Sequence, residues 1–321
     1  MRAPSGLPVL VELVRSGVVE STHAGSVVVL APDGSVAVQL GVVDAPVLPR
    51  SANKPLQAVG LLDAGWQPPD ARVLALATAS HSGEPEHLQV VRRCLAAAGL
   101  SETALLCPAR PPLSCAAAGA LLLAGRRPTA LTMNCSGKHA AMLACCVTRG
   151  DAVTGYLAAD SAVQRAIGTS IERLAGEAVR HVAVDGCGAP QHALTLAGLA
   201  RAFGVLATSG GNEGRTAAAM RSHPFLVGGT GREVTDLIAG VPGLIVKDGA
   251  EGVYAAALPD GSAVAVKIAD GAMRAAVVVL VAALRRLGVQ AEVLDRLGTA
   301  PVLGGGVPVG NLRPAVTDLT G

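Results

Sequence analysis

Two pairs of short apolar runs lie near the two ends of the chain. The first pair spans residues 26–30 and 36–40, and the second spans residues 252–258 and 263–268. Each pair is joined by the same tetrapeptide, Pro-Asp-Gly-Ser, and Asp-Gly between β-branched runs is a strong hairpin signal. The pattern predicts two β-hairpins whose strands can pair in one antiparallel sheet.

Between the hairpins, apolar residues recur at helical spacing and are separated by short polar turns. One predicted helix begins near residue 51, and two others end near residues 98 and 150. Two more helices are predicted over about 192–204 and 272–287. A strand is predicted over 181–184, a flexible loop over 209–214, and an extended Gly/Pro-rich tail near the C-terminus. The chain is therefore α/β (α+β), a single domain over 1–321, with a sheet from about 8–48 and 245–315 and a helical region over about 49–244.

Composition narrows the possible partners. Half of the residues are hydrophobic but only 2% are aromatic, so the core must consist of Ala, Val and Leu. A net charge of +2 with few aromatic rings argues against nucleic-acid binding. The apolar run over 275–284 is too short to span a bilayer, so no membrane partner is expected. Seven cysteines and no apolar leader after Met1 favour reduced thiols and a cytoplasmic location.

Lysine is rare in this chain, although basic residues are not. Of the 26 lysine and arginine residues, the lysines are Lys54, Lys138, Lys247 and Lys267. Arginine stays protonated, whereas a partly buried lysine can lose its proton and act as a base or a ligand. The retained lysines therefore mark stretches that are candidates for chemistry, although Lys247 has no predicted role.

Ser51 and Lys54 stand three residues apart at a predicted helix start, with Pro55 in the first turn. On a helix they would share a face, so that a hydroxyl lies beside an amine. Such a pair can supply a nucleophile together with its base. The spacing alone is weak, because a capping serine and a solvated lysine give the same pattern.

Two further stretches each place a cysteine in a tight turn that precedes a predicted helix. They are Asn-Cys-Ser-Gly-Lys-His over 134–139 and Asp-Gly-Cys-Gly over 185–188. Two thiolates from separate turns suit zinc, but Cys-x-x-Lys is not a standard ligand pair, and buried free thiols remain equally consistent. The other cysteines are predicted to be buried apolar residues: Cys94, Cys107, Cys115, Cys145 and Cys146.

These motifs, in this order and together with Arg-Ser-Ala-Asn-Lys-Pro (50–55) and Ala-Ser-His-Ser-Gly-Glu (79–84), resemble the asparaginase II family of the Rhizobium etli inducible type. The resemblance covers roughly residues 8–315. It implies a fold like that of serine β-lactamases and glutaminases. It also implies hydrolysis of L-asparagine to L-aspartate and ammonia, and relatives suggest a homodimer.

The resemblance also implies roles for individual residues. Ser51 and Lys54 match a nucleophile and its base, Ser80 and Lys267 match a second Ser–Lys pair, and Asp185 matches an acid that contacts the substrate. Cys135, Lys138 and Cys187 match a Zn²⁺ site. From the residues alone, Arg50 and Arg232 are candidates to bind a substrate carboxylate, although an ordinary ion pair explains them equally well. His81, His87 and His139 are expected to support the site, because lysine supplies the base.

Two other functions stay open at this point. A penicillin-recognising Ser–Lys hydrolase would use the same nucleophile, but the chain lacks a Lys-Thr-Gly triplet. A non-catalytic amino-acid-binding protein could keep the same fold, although complete motifs argue against a decayed enzyme. Glutamine is open as a secondary substrate, because one methylene is worth only about 1–3 kcal/mol.

Overall fold

The computed structural model describes residues 6–316 and residue 319; residues 1–5, part of the N-terminal stretch considered above, lie outside them. The strands are β1 (Val9–Arg15), β2 (Val18–Leu30), β3 (Val36–Leu40), β4 (Pro46–Val47), β5 (Val182–Val184), β6 (Pro190–His192), β7 (Leu194–Thr195), β8 (Ile245–Gly249), β9 (Val253–Ala257), β10 (Ala263–Ile268), β11 (Ala300–Gly304) and β12 (Val307–Pro314). The α-helices are α1 (Lys54–Asp63), α2 (Ala71–Ala77), α3 (Pro85–Ala97), α4 (Cys115–Leu123), α5 (Ser136–Arg149), α6 (Ala162–Ala175), α7 (Leu196–Thr208), α8 (Gly211–Ser222), α9 (Pro224–Val227), α10 (Glu233–Gly240), α11 (Met273–Arg286) and α12 (Glu292–Leu297).

The described residues fall into two compact units. The sheet unit comprises residues 6–52, 194–208 and 237–316, and the helical unit comprises residues 53–193 and 209–236. The predicted helical region over about 49–244 contains helix α7, which belongs to the sheet unit. The prediction of a single domain over 1–321 stays a prediction.

The sheet unit contains an eight-stranded antiparallel sheet built from both ends of the chain. Its order is β11-β12-β1-β2-β10-β9-β8, and β3 pairs with β2 beside this path. Strand β2 is long enough to pair with β1 through its first half and with both β10 and β3 through its second half. The prediction of a mixed α/β fold with one antiparallel sheet formed by the two hairpins is therefore confirmed.

Apolar side chains explain why this sheet is stable. Every residue of β9 is buried, and β10 is buried except at Lys267. Helices α7 and α11 pack on the sheet, and the stretch of α11 from Ala275 to Leu284 is completely buried. That stretch is the apolar run predicted to form a buried helix, and the small Ala and Val side chains let it pack closely against the strands.

The helical unit is a cluster of helices with one short hairpin formed by β5 and β6. Helix α1 packs against α6, α8 and α5, while α5 also packs against α2 and α3. Helix α1 is buried along nine consecutive residues, from Lys54 to Leu62. Because α1 starts with a buried lysine and ends with buried leucines, it carries polar chemistry and core packing on one element.

Three sequence-based expectations differ from the structure. Residues 211–214 begin helix α8 and are not a flexible loop, because Gly210 serves as an N-cap that needs no side chain. The helix predicted from about 192 begins at Leu196, where the Thr195 hydroxyl accepts from the Gly198 amide at 2.9 Å and terminates β7. The C-terminal tail is a hairpin of β11 and β12 that extends the sheet.

The described residues include no helix with both the length and the apolar character needed to cross a bilayer.

Gly249, at the end of β8, allows the closest backbone approach near Ser51. A Cβ atom at this position would lie 2.1 Å from the Pro49 carbonyl oxygen and 3.2 Å from the Ala52 amide nitrogen, all within the sheet unit. We expect Gly249→Ala to lower the free energy of unfolding by about 1–3 kcal/mol, because a backbone group must move. Urea unfolding measures this value.

Gly155→Ala is the matched control, because a Cβ there has nothing within 4 Å and the backbone φ is ordinary. It is expected to change stability by less than about 1 kcal/mol. Equal effects of the two substitutions would show that the approach to Pro49 is not tight in solution.

Candidate active site

Lys54 is a buried amine at the start of α1. Its side chain is only 1% exposed. Its Nζ lies 2.5 Å from the Ala79 carbonyl oxygen, 3.0 Å from the Ser80 Oγ and 3.2 Å from the Cys135 Sγ. Three acceptors therefore surround a group that carries three protons when it is charged. This burial excludes the alternative that Lys54 is a solvated surface residue.

The helix start predicted near Ser51 is present, with one difference in detail. Ser51 lies within a short 3₁₀ helix, Arg50–Asn53, and α1 follows with Asn53 as its N-cap and Pro55 in its first turn. The 3₁₀ turn arises where Arg50 adopts a left-handed φ of 54°, a conformation that L-residues rarely take outside special sites.

Ser80 lies on a segment held from both sides within the helical unit. The Ser80 and Ser82 amides donate to the carbonyls of Val227 and Gly228, at 3.3 and 2.8 Å. Between them, the His81 amide donates to the Asn134 carbonyl at 3.1 Å. The segment is thus fixed like a short strand between two neighbours, and the Ser80 hydroxyl is presented to the Lys54 amine in a defined position.

The two cysteine motifs meet in the helical unit. Lys138, on the first turn of α5, places its Nζ 3.1 Å from the Cys187 Sγ, and Cys187 is hydrogen-bonded to Cys135. Cys187 also lies 3.5 Å from the Asp185 carboxylate, within the turn that joins β5 to β6. All of these groups except Asp185 are buried. The predicted metal-site residues are therefore brought together, with Asp185 beside them.

Burial and nearby charges shift the pKa values of the groups in this cluster in different directions. A hydrogen bond from Cys187 and the nearby Lys54 and Lys138 side chains hold the pKa of the Cys135 thiol well below its ordinary value, against the effect of burial. That hydrogen bond and burial raise the pKa of the Cys187 thiol. Burial alone would lower the pKa of Lys138, but the two sulfurs and Asp185 outweigh it, and the net effect raises that pKa. These shifts favour a thiolate at Cys135, a thiol at Cys187 and a charged amine at Lys138.

The donor set can be tested against the tetrahedral zinc that the resemblance implies. Two sulfurs and one nitrogen converge, and one sulfur is already favoured as a thiolate, which is the form zinc binds. With Zn–S and Zn–N distances of about 2.3 and 2.05 Å, sulfur and nitrogen ligands stand about 3.6 Å apart. The Lys138–Cys187 separation of 3.1 Å needs an expansion of about half an ångström.

The residues therefore fit a zinc ion in type and convergence, with Lys138 as an unusual ligand. The part of the chain that the structure describes has no group of three or more His, Cys, Asp or Glu side chains suited to a metal. A site at this cluster thus depends on the lysine amine as its third protein ligand.

Arg50 and Lys267 belong to the sheet unit, where both contact Glu251. The Arg50 Nη1 is 3.9 Å from the Glu251 carboxylate, and the Lys267 Nζ donates to the Glu251 carbonyl oxygen at 2.6 Å. Glu251 also has a left-handed φ, of 65°. Burial lowers the pKa of Lys267, and the charges of Glu251 and Asp270 only partly oppose it. Glu251 is thus a functional candidate that the sequence analysis missed.

His81 supports the site through a chain of buried hydrogen bonds. Its Nδ1 accepts from the Gly83 amide at 3.1 Å, which leaves Nε2 to donate to the Ser136 Oγ at 2.9 Å. The Ser136 hydroxyl then donates to the Leu131 carbonyl at 2.8 Å. This network joins the segment that carries Ser80 to the first residue of α5, and the expected supporting role of His81 agrees with it. Ser136 was missed, since a serine after a cysteine gives no distinct signal.

Two stacked histidines are held neutral in the same region. The rings of His81 and His87 lie 5.2 Å apart, and His87 stacks in turn on Phe225. Burial, followed by the neighbouring His87, Lys54 and Arg232, lowers the pKa of His81 well below its ordinary value. Burial also lowers the pKa of His87. Both rings are therefore uncharged in the folded protein near neutral pH.

This arrangement predicts a stability that falls with acid. Because the folded pKa of His81 is below the unfolded value of about 6.5, its contribution is fully present above that pH and is lost as the pH falls. Below pH 6.5 the His81 imidazole binds a proton in the unfolded chain but not in the folded protein. In urea unfolding between pH 6 and 5, the free energy of unfolding of the wild type should fall as the pH falls. We expect His81→Gln to reduce this slope by about 1.4 kcal/mol per pH unit.

The exposed His181 supplies the control, and His181→Gln should leave the slope of the wild-type protein unchanged. Identical slopes for wild type and His81→Gln would contradict a neutral, buried His81.

The geometry of these groups indicates a class of chemistry. A mixed α/β protein that buries a serine hydroxyl against a lysine amine, beside a thiol–amine cluster, has the groups needed for nucleophilic hydrolysis. The family model of L-asparaginase II matches residues 11–314. The chain therefore belongs to the L-asparaginase II family, which confirms the resemblance.

Solved structures similar to this chain share little sequence with it. Two are crystal structures of Mglu, in its native form and in its tris and glutamate form, at 16% and 15% identity and a TM-score of 0.43 each. The alignments cover 82% and 88% of this chain but only 63% and 62% of Mglu. A β-lactamase from Mycobacterium bovis has 14% identity and a TM-score of 0.35, over 78% of this chain and 89% of that one. Among curated protein sequences there is no significant match.

Proposed function

We propose that the protein is an L-asparaginase that hydrolyses L-asparagine to L-aspartate and ammonia through a Ser–Lys nucleophile. The observation that carries this proposal is the buried Lys54 amine, 3.0 Å from the Ser80 hydroxyl and three residues after Ser51 along the chain. Membership of the L-asparaginase II family supports an amide as the substrate.

In the proposed first step, the Ser51 hydroxyl attacks the side-chain amide carbon of asparagine, and the Lys54 amine takes the hydroxyl proton. Lys54 must be neutral to act as this base, so it has two protons and one lone pair. A neutral amine can donate to the Ala79 carbonyl and the Cys135 sulfur while it accepts from the Ser80 hydroxyl. The contacts around Lys54 therefore suit a base whose proton can be exchanged through Ser80.

The tetrahedral intermediate then collapses and its C–N bond breaks. The proton held by Lys54 passes to the leaving nitrogen, with Ser80 as a relay, so that ammonia departs and an ester joins Ser51 to the aspartyl group. Water attacks this ester, Lys54 again acts as the base, and aspartate is released with Ser51 restored. Free N–H groups at the start of the helix near Ser51 are proposed to hold the oxyanion.

Recognition of the amino-acid substrate is proposed to use opposite charges. Asp185 is assigned to the α-ammonium group, and Arg50 is assigned to the α-carboxylate, which a planar guanidinium can bind in a bidentate way. Lys267, whose pKa is lowered by burial, is the second amine proposed to move protons in the site. The substrate is therefore a small amino acid, with no nucleic acid or membrane involved.

We further propose that Cys135, Lys138 and Cys187 hold a Zn²⁺ ion. When bound, zinc would supply a fixed positive charge and a Lewis acid to the site. Binding requires the Lys138 amine and the Cys187 thiol to lose their protons, so zinc affinity should rise with pH. The two cysteines would also orient neighbouring side chains of the site, because Cys135 contacts Lys54 and Cys187 contacts Asp185.

Purified protein tests the reaction directly, by ammonia release from L-asparagine with L-glutamine assayed alongside. We expect Ser51→Ala and Lys54→Met each to reduce kcat at least about 1,000-fold, because they remove the nucleophile or its base. Ser80→Ala should reduce kcat by about 10- to 1,000-fold, because water can replace a relay only in part. Ser101→Ala, at an exposed serine, is the control.

The outcomes separate the alternatives. Near-normal activity of Ser51→Ala with no activity of Ser80→Ala would move the nucleophile to Ser80. Covalent labelling of Ser51 by a fluorescent penicillin, with no release of ammonia, would favour a penicillin-recognising hydrolase. Binding of asparagine without turnover would favour an amino-acid-binding protein.

Metal content tests the zinc proposal independently. Protein expressed with zinc in the medium should contain about one Zn²⁺ per chain by elemental analysis, and Cys135→Ser combined with Cys187→Ser should contain none. Cys115, predicted to be buried, is exposed, so Cys115→Ser should retain the metal. Zinc-free wild-type protein would refute the metal assignment even if it hydrolyses asparagine.

A further inference from the structure

Glu251 adopts a backbone conformation that is unusual for its residue type. It stands with Gly252 in the turn between β8 and β9, and both residues have left-handed φ angles, of 65° and 71°. Glycine takes this conformation readily, and asparagine or aspartate takes it more often than glutamate. Of the residues that the structure describes, only Ser16, Arg50 and Glu251 are non-glycine residues with a left-handed φ. Such a conformation persists only where the surroundings hold it in place.

The main-chain carbonyl of Glu251 helps to hold the amine of Lys267. The Lys267 Nζ donates to the carbonyl oxygens of Glu251 and Ile268, at 2.6 Å each. The Ile268 amide in turn donates to the Gly252 carbonyl at 2.8 Å, so the turn is tied to β10 at two points. Lysine has a flexible four-carbon stem, and two fixed carbonyls confine its nitrogen to one position. A neutral amine that donates two protons in this way keeps its lone pair to accept another.

The carboxylate of Glu251 lies beside Arg50 and the backbone of Gly271. Its Oε1 is 3.9 Å from the Arg50 Nη1, and a Cβ atom at Gly271 would lie 2.5 Å from its Oε2. A glycine at residue 271 therefore leaves the space that the carboxylate occupies. Arg50 immediately precedes Ser51, the proposed nucleophile. Glu251 thus contacts both an amine and a guanidinium that the proposed reaction uses.

We propose that Glu251 is a positioning residue, whose carbonyl fixes the Lys267 amine and whose carboxylate orients the Arg50 guanidinium. This inference rests on the proposed function, which assigns Lys267 to proton transfer and Arg50 to the substrate carboxylate. All three residues belong to the sheet unit. Backbone dihedral angles set the direction of a carbonyl relative to the side chain of the same residue. The left-handed conformation of Glu251 is therefore a requirement of this arrangement.

The turn at Ser16 shows what the same backbone needs without such contacts. Ser16 and Gly17 join β1 to β2 with left-handed φ angles of 48° and 84°. The Ser16 amide donates to the Val309 carbonyl at 2.8 Å, and Ser16 is exposed. A small polar residue is therefore enough for a left-handed turn in this sheet. The contacts of the carboxylate, and not the geometry of the turn, explain a glutamate at residue 251.

Kinetic constants for L-asparagine, each measured at the pH optimum of the variant, separate the two parts of the proposal. Glu251→Gln and Glu251→Asn remove the charge, and asparagine also favours the left-handed conformation. We expect both to raise KM about 3- to 10-fold with little change in kcat, because Arg50 is less well oriented. Glu251→Val brings a β-branched side chain that disfavours this conformation. It should also reduce kcat about 10- to 100-fold, because Lys267 is displaced.

Two substitutions elsewhere in the sheet unit are matched controls. Ser16→Val places the same β-branched residue at another left-handed turn and should change neither constant. Glu20→Gln removes an exposed glutamate that is paired with Arg15 at 2.8 Å, and it should also change neither. Equal kcat values for Glu251→Val and Glu251→Asn would overturn the role of the carbonyl. An unchanged KM in Glu251→Gln would overturn the role of the carboxylate.

Titration of lysine signals tests the arrangement without an assay of activity. Lysine is rare in the chain, so ¹³Cε signals of lysine-labelled protein can be resolved by NMR, and Lys267→Arg assigns the signal of Lys267. Burial lowers the pKa of Lys267, and the charge of Glu251 opposes this effect. Glu251→Gln should therefore lower the pH midpoint of the Lys267 signal, whereas Glu20→Gln should leave it unchanged.

This second readout separates two kinds of failure. An unchanged Lys267 midpoint in Glu251→Gln would overturn the placement of Glu251 beside the amine, even if the enzyme is active. A wild type that releases no ammonia from L-asparagine would refute the proposed function, whichever way the midpoint moves.

Discussion

A buried lysine amine is the constraint on which the helical unit depends. Removing a polar amine from water costs free energy unless hydrogen-bond partners replace the solvent, and Lys54 is almost completely enclosed. Its partners come from two other parts of the unit: the Ala79–Ser80 segment after α2, and Cys135 at the N-cap of α5. The three elements must therefore meet at one point for the fold to be stable, and that point carries the candidate chemistry.

The packing around this point leaves little freedom. Gly137, in the first turn of α5, has no room for a side chain, since a Cβ would lie 2.6 Å from the Leu76 carbonyl oxygen. The close approach of α5 to α2 thus places Cys135 and Lys138 beside the segment that carries Ser80. The His81–Ser136 hydrogen bond links the same two elements a second time. Backbone contacts therefore act together with the enclosed Lys54 amine to position the hydroxyl and the thiol.

Patterns along the chain predict the sheet well and the site in part. Asp-Gly turns between β-branched runs specify local pairs, so both hairpins are confirmed. Scarcity of lysine is also informative: Lys54, Lys138 and Lys247 are each at most 2% exposed. The acceptors that contact each amine are set by packing between distant segments. No spacing in the sequence therefore reveals that Lys54 contacts Ser80 and Cys135. The Gly-Gly stretch before α8 gave the wrong prediction because glycine signals both loops and helix caps.

Lys138 and Lys267, one in each unit, differ in how nearby charges balance the effect of burial on their pKa values. At Lys138 the thiolate, the second sulfur and Asp185 outweigh burial, so the charged form is favoured and the amine holds negative groups together. At Lys267 burial outweighs Glu251 and Asp270, so the neutral form is more accessible. A lysine that accepts a proton must be able to become neutral near its working pH. A lysine beside thiolates must either stay protonated, so that its charge balances theirs, or lose its proton when a metal ion binds. The direction of the pKa shift is thus consistent with the role proposed for Lys138 in the zinc site and with the role proposed for Lys267 in proton transfer. The Cys135 thiol, whose pKa is lowered by a hydrogen bond from Cys187 and by Lys54 and Lys138, belongs with Lys138 and Cys187 to the proposed zinc site.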